Sequence, residues 1–315
     1  MSDDTSVSKL AINTVQTSLL TLLALTAFAA NSVLCRLALQ VRGDEVVIDA
    51  ASFTVVRLSA GILALFLILY LRDRSQSAIA GHLPVQRSTS NGSWFGALSL
   101  FLYAAGFSYA YVSLETGTGA LILFAVVQIT MITFSVYSGN KLHYTQWLGV
   151  ALAFIGFVYL MLPGVSAPSI EGLVLMTISG IAWAGYTLAG KKTQDPLRDT
   201  SYNFLRTMPL IIVLAVYNTE SFHISSQGLM LAIGSGALTS GVGYTIWYIV
   251  LRSLETIQAA VLQLLVPVIA AIGGVVLVDE LLTGRLLIAS LMILGGIFLV
   301  VVGKTLLTRW QSSNL

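Results

Sequence analysis

The sequence predicts an all-α polytopic membrane protein whose ten transmembrane helices form two inverted five-helix repeats. Three observations carry this prediction. The chain of 315 residues is 56% hydrophobic and only 10% charged, against about 25% charged in a soluble domain. Its apolar residues fall into ten runs, most of them near the ~20 residues that cross a bilayer as a helix. A polar tetrapeptide, SLET, stands at Ser113–Thr116 and again at Ser253–Thr256, each time opening a long apolar run. One soluble core would not absorb this much apolar sequence, whereas lipid does. The net charge of +2 gives no field suited to nucleic acid, and the one cysteine, Cys35, excludes an intrachain disulfide.

The spans follow in order along the chain. Span 1 covers 17–39. Its Ala27–Ala29 (AFA) mimics a signal cleavage site, but the apolar run is long for a signal peptide and its loss would leave one half unpaired. Span 2 (51–71) leads into the longest polar loop, Arg72–Asn91. Span 3 (93–112) ends at the first SLET, which opens span 4 (118–137). Span 5 (147–163) runs into Leu162–Gly172, where Pro163 and Pro168 mark a linker. The first repeat is therefore expected over 1–165 and the second over 166–315. Spans 6 (172–190), 7 (201–217), 8 (229–250), 9 (257–277) and 10 (286–304) complete the set.

The doubling extends well beyond SLET. At an offset of 140, Ala120, Val126, Ile132, Val136, Leu142 and Gly156 also meet identical residues. SFTVVR (Ser52–Arg57) aligns with SYNFLR (Ser201–Arg206), and Arg36 with Lys191. Five spans per copy is an odd number, so the second copy enters the membrane from the opposite side. Such inverted repeats recur in secondary transporters. Orientation follows from the basic residues. With a cytoplasmic N-terminus, Lys9, Arg72, Arg74, Arg87, Lys141, Lys191, Lys192, Arg198, Arg252, Lys304 and Arg309 lie inside, and only Arg36, Arg42 and Arg285 lie outside. Both termini are expected in the cytoplasm, with the protein in the inner (plasma) membrane.

The stretch from Gly243 to Gly284, GYTIWYIVLRSLETIQAAVLQLLVPVIAAIGGVVLVDELLTG, resembles the EamA-type branch of the drug/metabolite transporter superfamily. Pro267 in span 9, the acidic pair Asp279–Glu280 and the LGGIFL of span 10 carry the resemblance, which covers nearly the whole chain. In the first half, Phe28 stands where the family often has Trp, Val127 where it often has Pro, and Asn140 where it often has Glu. The resemblance implies ten helices, a central substrate cavity and export of small metabolites, often amino acids.

The polar residues give a separate reading. All fourteen carboxylates and all three histidines fall in loops or at helix ends, so no span carries a mid-membrane proton carrier of the usual kind. Arg57 and Arg206 are the charges inside spans, about 10 Å deep at 1.5 Å per residue. Each either holds a substrate carboxylate or snorkels to its interface and bonds backbone carbonyls. Gln128 and Gln263 lie near the midpoints of spans 4 and 9. Pro267 frees the carbonyl of Gln263, so amide and carbonyl share one level, as a cavity wall or as helix–helix glue. Pro209 frees Leu205 in the same way, so Pro267 and Pro209 are candidate hinges. Asn31 and Phe28 align with Tyr186 and Trp183; each pair shares a helix face and suits either an amphipathic solute or an aromatic packing stripe. Tyr103 and Trp247 complete the candidate substrate-binding set.

No HExxH, GxSxG, GxGxxG or Walker A motif occurs, and no metal or cofactor is expected. The expected partners are a small-molecule metabolite and the bilayer, with the chain a monomer or weak homodimer. A carrier is the leading reading, the alternatives being a passive channel, which needs a polar filter, and a membrane enzyme, sensor or structural protein, which needs a catalytic cluster or soluble domain.

Overall fold

A computed structural model of the chain describes residues 14–40, 47–80, 91–137, 139, 143–162, 167–190, 193–251, 253 and 262–313. Among them are ten helical rods and, beyond one antiparallel bridge between Ile48 and Ile224, no β-structure. The rods are α1 (Thr14–Leu39), α2 (Ala50–Ala80), α3 (Trp94–Tyr111), α4 (Thr116–Tyr137), α5 (Tyr144–Met161) and α6 (Ile170–Gly190). The seventh is broken into α7a (Pro196–Arg206) and α7b (Met208–Tyr217). The eighth has three parts, α8a (Ser226–Ile233), a π-helical α8b (Gly234–Val242) and α8c (Gly243–Leu251). Helices α9 (Leu265–Leu277) and α10 (Gly284–Ser313) close the array. Arg42, Arg87, Asn140, Lys141, Pro163, Lys191, Lys192, Arg252, Leu254–Thr256, the start of span 9 and the boundary at 165 lie outside the described residues.

Five rods, α1, α2, α4, α6 and the whole of the eighth, are long and apolar enough to cross a membrane; α5, α9 and α10 contain shorter apolar helices. The exterior is apolar too. Leu63 is 74% exposed and Ile170 80%, which is costly in water and natural against hydrocarbon. The most extensive helix packings obey a swap of each rod with the one five places on. Helix α3 lies on α6, and the eighth rod lies on α1; α4 packs on α6, and α9 on α1. The pairs α2 with α7, α4 with α9 and α5 with α10 map onto themselves. A repeat of five helices related by a twofold axis gives such pairings.

Local chemistry fixes where the rods begin. Asp49 accepts from the Ser52 amide (2.9 Å) at the head of α2, and Ser93 from the Gly96 amide at the head of α3. His143 and Gln146 form a reciprocal capping box on α5. Asp195 caps α7a in front of Pro196, whose missing N–H costs nothing at that position. Burial pushes the Asp195 carboxyl up, but hydrogen bonds from Arg72 (2.7 and 2.9 Å) and the Arg198 backbone more than offset this, so it sits low. The seventh rod breaks at Thr207, two residues before Pro209.

The acidic pair after α9 does two jobs. Asp279 takes a left-handed conformation (φ 59°), which ends the helix. Glu280 then reaches the head of α4, where both carboxylate oxygens lie 2.9 Å from the Thr116 amide, and pairs with Arg36 at 3.2 Å. Arg36 also donates to the carbonyls of Tyr111 (3.0 Å) and Val112 (3.1 Å). The end of α1, the start of α4 and the end of α9 are thereby tied together. Burial, and then the neighbouring Glu280, push the Glu115 carboxyl up against the opposing pull of Arg36.

Helices α5 and α10 touch backbone to backbone. A Cβ on Gly296 would lie 2.5 Å from the Gly149 carbonyl oxygen and 2.6 Å from the Ala153 nitrogen, whereas one on Gly295 meets nothing within 4 Å. Gly296→Ala is therefore expected to lower stability by about 1–3 kcal/mol through overpacking. Gly295→Ala, the internal control, is expected to leave the detergent melting temperature near wild type.

Candidate functional site

The buried centre of the molecule is polar. Arg57 on α2 is 1% exposed. Its Nε donates to Ser240 Oγ (3.3 Å), and its Nη2 to the hydroxyls of Tyr103 (3.2 Å) and Tyr244 (3.3 Å). The remaining nitrogen, Nη1, is buried with no hydrogen-bond partner among the described residues. The guanidinium lies 5.2 Å from the ring centroid of Tyr103 and 5.0 Å from that of Phe107. Ring faces attract a desolvated cation by up to ~2 kcal/mol. Among the described residues Arg57 has no carboxylate partner.

A second tier of hydrogen bonds orders this centre. Tyr244 donates to Tyr103 Oη at 3.2 Å, and Asn31 Nδ2 on α1 donates to the same oxygen at 3.2 Å. Asn31 Oδ1 accepts from the Ser235 hydroxyl (2.7 Å) and lies 3.1 Å from Thr239 Oγ1. Ser235, Thr239 and Ser240 all sit on the π-helical α8b. A π segment widens the turn and re-aims side chains, and it occurs often at functional sites. Gly236 on the same segment abuts the Arg57 carbonyl so closely that a Cβ there would collide with it. Glycine at this position thus allows α8b to bring its hydroxyls onto α2.

Aromatic rings wall the cluster. Trp183 lies 4.7 Å from Tyr103 and 4.8 Å from Tyr244, centroid to centroid. Phe28 meets Trp183 (6.0 Å) and Trp247 (5.6 Å) edge-on. Tyr186 stacks beside Trp183 (5.6 Å) and faces Tyr248 (6.2 Å).

Five rods thus bring seven of the ten sequence candidates together: Phe28, Asn31, Arg57, Tyr103, Trp183, Tyr186 and Trp247. Gln128 is buried on α4, and Gln263 is buried two residues ahead of α9, the helix that packs on α4. Pro267 is buried in the first turn of α9, just beyond Leu264. Arg206 stands apart at the end of α7a, where its Nη1 donates to the Asn91 carbonyl and lies 3.5 Å from that of Tyr202. The backbone-bonding role, one of the two open to it, is the arrangement found. Sequence reasoning missed Phe107, Ser235, Thr239, Ser240 and Tyr244. The GSGALTSGVG run (Gly234–Gly243) inside an apolar span was the available signal.

Apolar rods packed around a buried, hydrogen-bonded cation define a polytopic membrane protein with an intramembrane polar site. The sequence profile of the EamA-like transporter family matches residues 170–302. An uncharacterized protein of Pseudomonas aeruginosa is 45% identical over 285 residues, covering 90% of this chain and 94% of that protein. A probable amino-acid metabolite efflux pump of Escherichia coli is 24% identical, over 69% of this chain and 76% of that one. One solved protein crystal structure shares the fold with a TM-score of 0.57 at 16% identity, covering 90% of this chain and 97% of that one. The chain belongs to the EamA-like transporter family, and it is a multi-pass membrane transporter.

The hydroxyl of Tyr103 joins Asn31, Arg57 and Tyr244. Tyr103→Phe removes it and leaves buried donors unpartnered, so a loss of about 1–3 kcal/mol is expected, read as a lower melting temperature in detergent. An unchanged melting temperature would show that the three groups do not depend on that oxygen.

Proposed function

We propose that the protein is a secondary exporter that moves small carboxylate-bearing metabolites, amino acids among them, out across the inner membrane by alternating access. The two repeats, 1–165 and 166–315, are the bodies that move against each other around Arg57. The observation that carries this reading is the buried guanidinium with one unpartnered nitrogen and no carboxylate partner among the described residues. An isolated charge in low dielectric is costly unless paired. A solute carboxylate is the partner that would complete it, through paired hydrogen bonds that match the guanidinium fork. The rings of Phe28, Tyr103, Trp183, Tyr244 and Trp247 offer apolar walls for the rest of the solute. The Escherichia coli relative, a probable amino-acid metabolite efflux pump, agrees with this chemistry.

Both Arg57 and its partners are closed off from solvent, so a solute reaches them only when one end of the bundle opens. The Arg36–Glu280–Thr116 tie closes one end, and the distribution of Lys and Arg puts that end outside, with both termini cytoplasmic. Opening outward breaks this ion pair. Loading Arg57 shifts the balance between states only through a difference in affinity between them. No span carries an acidic residue or histidine, so exchange needs no proton gradient.

Counterflow in proteoliposomes tests the reading. With substrate amino acid on both sides, wild-type exchange is expected to persist when the pH gradient is collapsed. Arg57→Gln is expected to cut it by about tenfold or more, the loss of one charged hydrogen-bonding group, while gel filtration and melting confirm a folded carrier. Full exchange by a folded Arg57→Gln protein would remove Arg57 from the substrate path.

A further inference from the structure

Far from Arg57, α2 and α7a part at one end to leave a surface cleft of about 650 Å³. Phe66 and Tyr202 form its floor, packed edge to face with centroids 5.6 Å apart. Tyr70, Asp73, Arg74 and Arg198 rise around them. The charge balance at this rim is positive. Asp73 is shared between Arg72 at 3.1 Å and Arg198 at 3.7 Å, the latter a loose contact. Asp195 is taken by Arg72. Arg198 lies over the Tyr202 ring at 5.5 Å, and Arg74 is exposed with no ion pair among the described residues.

The faces below the cleft are graded. Leu63, Leu67, Tyr70 and Arg74 follow spacings of four, three and four residues, which is one face of α2. Leu63, Leu67 and Tyr70 are 74%, 58% and 58% exposed. Across the cleft stand Arg198 and Tyr202 on α7a, and the α7b that follows exposes Met208 and Ile212. The α2 wall therefore runs from aliphatic through tyrosine to arginine. That sequence matches the hydrocarbon, the interface and the headgroup layer of one leaflet.

We infer that this cleft binds the headgroup of an anionic phospholipid. Arg74 and Arg198 hold the phosphate, Tyr70 and Tyr202 flank the glycerol, and the acyl chains lie along the aliphatic faces of α2 and α7b. A basic recess between membrane helices is the kind of site such headgroups take. The distribution of Lys and Arg puts it in the cytoplasmic leaflet, yet the binding chemistry is independent of that orientation and of the substrate at Arg57.

Full-length protein in neutral detergent tests the site by thermal melting. Titrations with phosphatidylglycerol, phosphatidylcholine and soluble glycerol phosphate are compared. Phosphatidylglycerol is expected to stabilise wild type at lower concentration than phosphatidylcholine, and glycerol phosphate to have no effect. Arg74→Gln removes an exposed side chain, so its lipid-free melting temperature is expected to match wild type. Its phosphatidylglycerol midpoint is expected to rise about fivefold. Should the lipid-free melting temperature change, native mass spectrometry of retained phosphatidylglycerol decides the matter, with loss of bound lipid in Arg74→Gln expected. Equal response to both lipids, a wild-type titration by Arg74→Gln, or equal stabilisation by glycerol phosphate would each overturn the assignment, the last in favour of a free phosphate anion.

Discussion

A guanidinium buried inside a membrane protein, with no acidic partner among the described residues, sets the terms for the structure around it. Arg57 cannot shed its charge, and it sits at 1% exposure. Its neighbours are therefore groups that solvate a cation without neutralising it: three hydroxyls and two ring faces. Tyr103 and Tyr244 must be aimed at it, which requires Asn31 to hold Tyr103 and α8b to hold Asn31. The π segment and Gly236 follow from the same demand, because the hydroxyls of the eighth rod reach α2 only if the two backbones nearly touch. Solvation by neutral groups leaves the site with unspent positive potential. A matching anion has something to gain there that water outside cannot offer it.

The ends of the helices are governed by a different economy. Carboxylates kept out of the spans reappear as caps and clamps: Asp49 on α2, Asp195 on α7a, Glu280 on α4. Glu280 satisfies an α4 amide and binds Arg36 at once, as Asp195 does with the Arg198 amide and Arg72. One carboxylate and one arginine thus pin together the adjoining ends of α1, α4 and α9.

Much of this was legible in the sequence, for physical reasons that can be named. Hydropathy located all ten rods because lipid imposes a length and a composition. It missed the extension of α2 to Ala80, where Arg72–Gln76 continue the helix in polar surroundings. The repeat picked out Phe28, Asn31, Trp183, Tyr186 and Arg57, since matched positions in an inverted fold converge near its axis. At Arg206 the sequence left two roles open. That residue aligns with Arg57, but α7a ends there, ahead of Pro209, so its side chain turns to the Asn91 and Tyr202 carbonyls. Ser235, Thr239, Ser240 and Tyr244 escaped because the reading weighted charge and aromatic stripes. Small hydroxyls in a glycine-rich run look like packing until a π turn aims them inward.

The central claim is that a solute carboxylate completes the Arg57 site. Its most direct test is equilibrium binding to purified wild-type protein of one amino acid, its carboxamide and its decarboxylated amine, matched in side chain. The account predicts that the acid binds and that both analogues bind at least about tenfold more weakly, the worth of a charge-assisted hydrogen bond. Equal affinity for all three would contradict it.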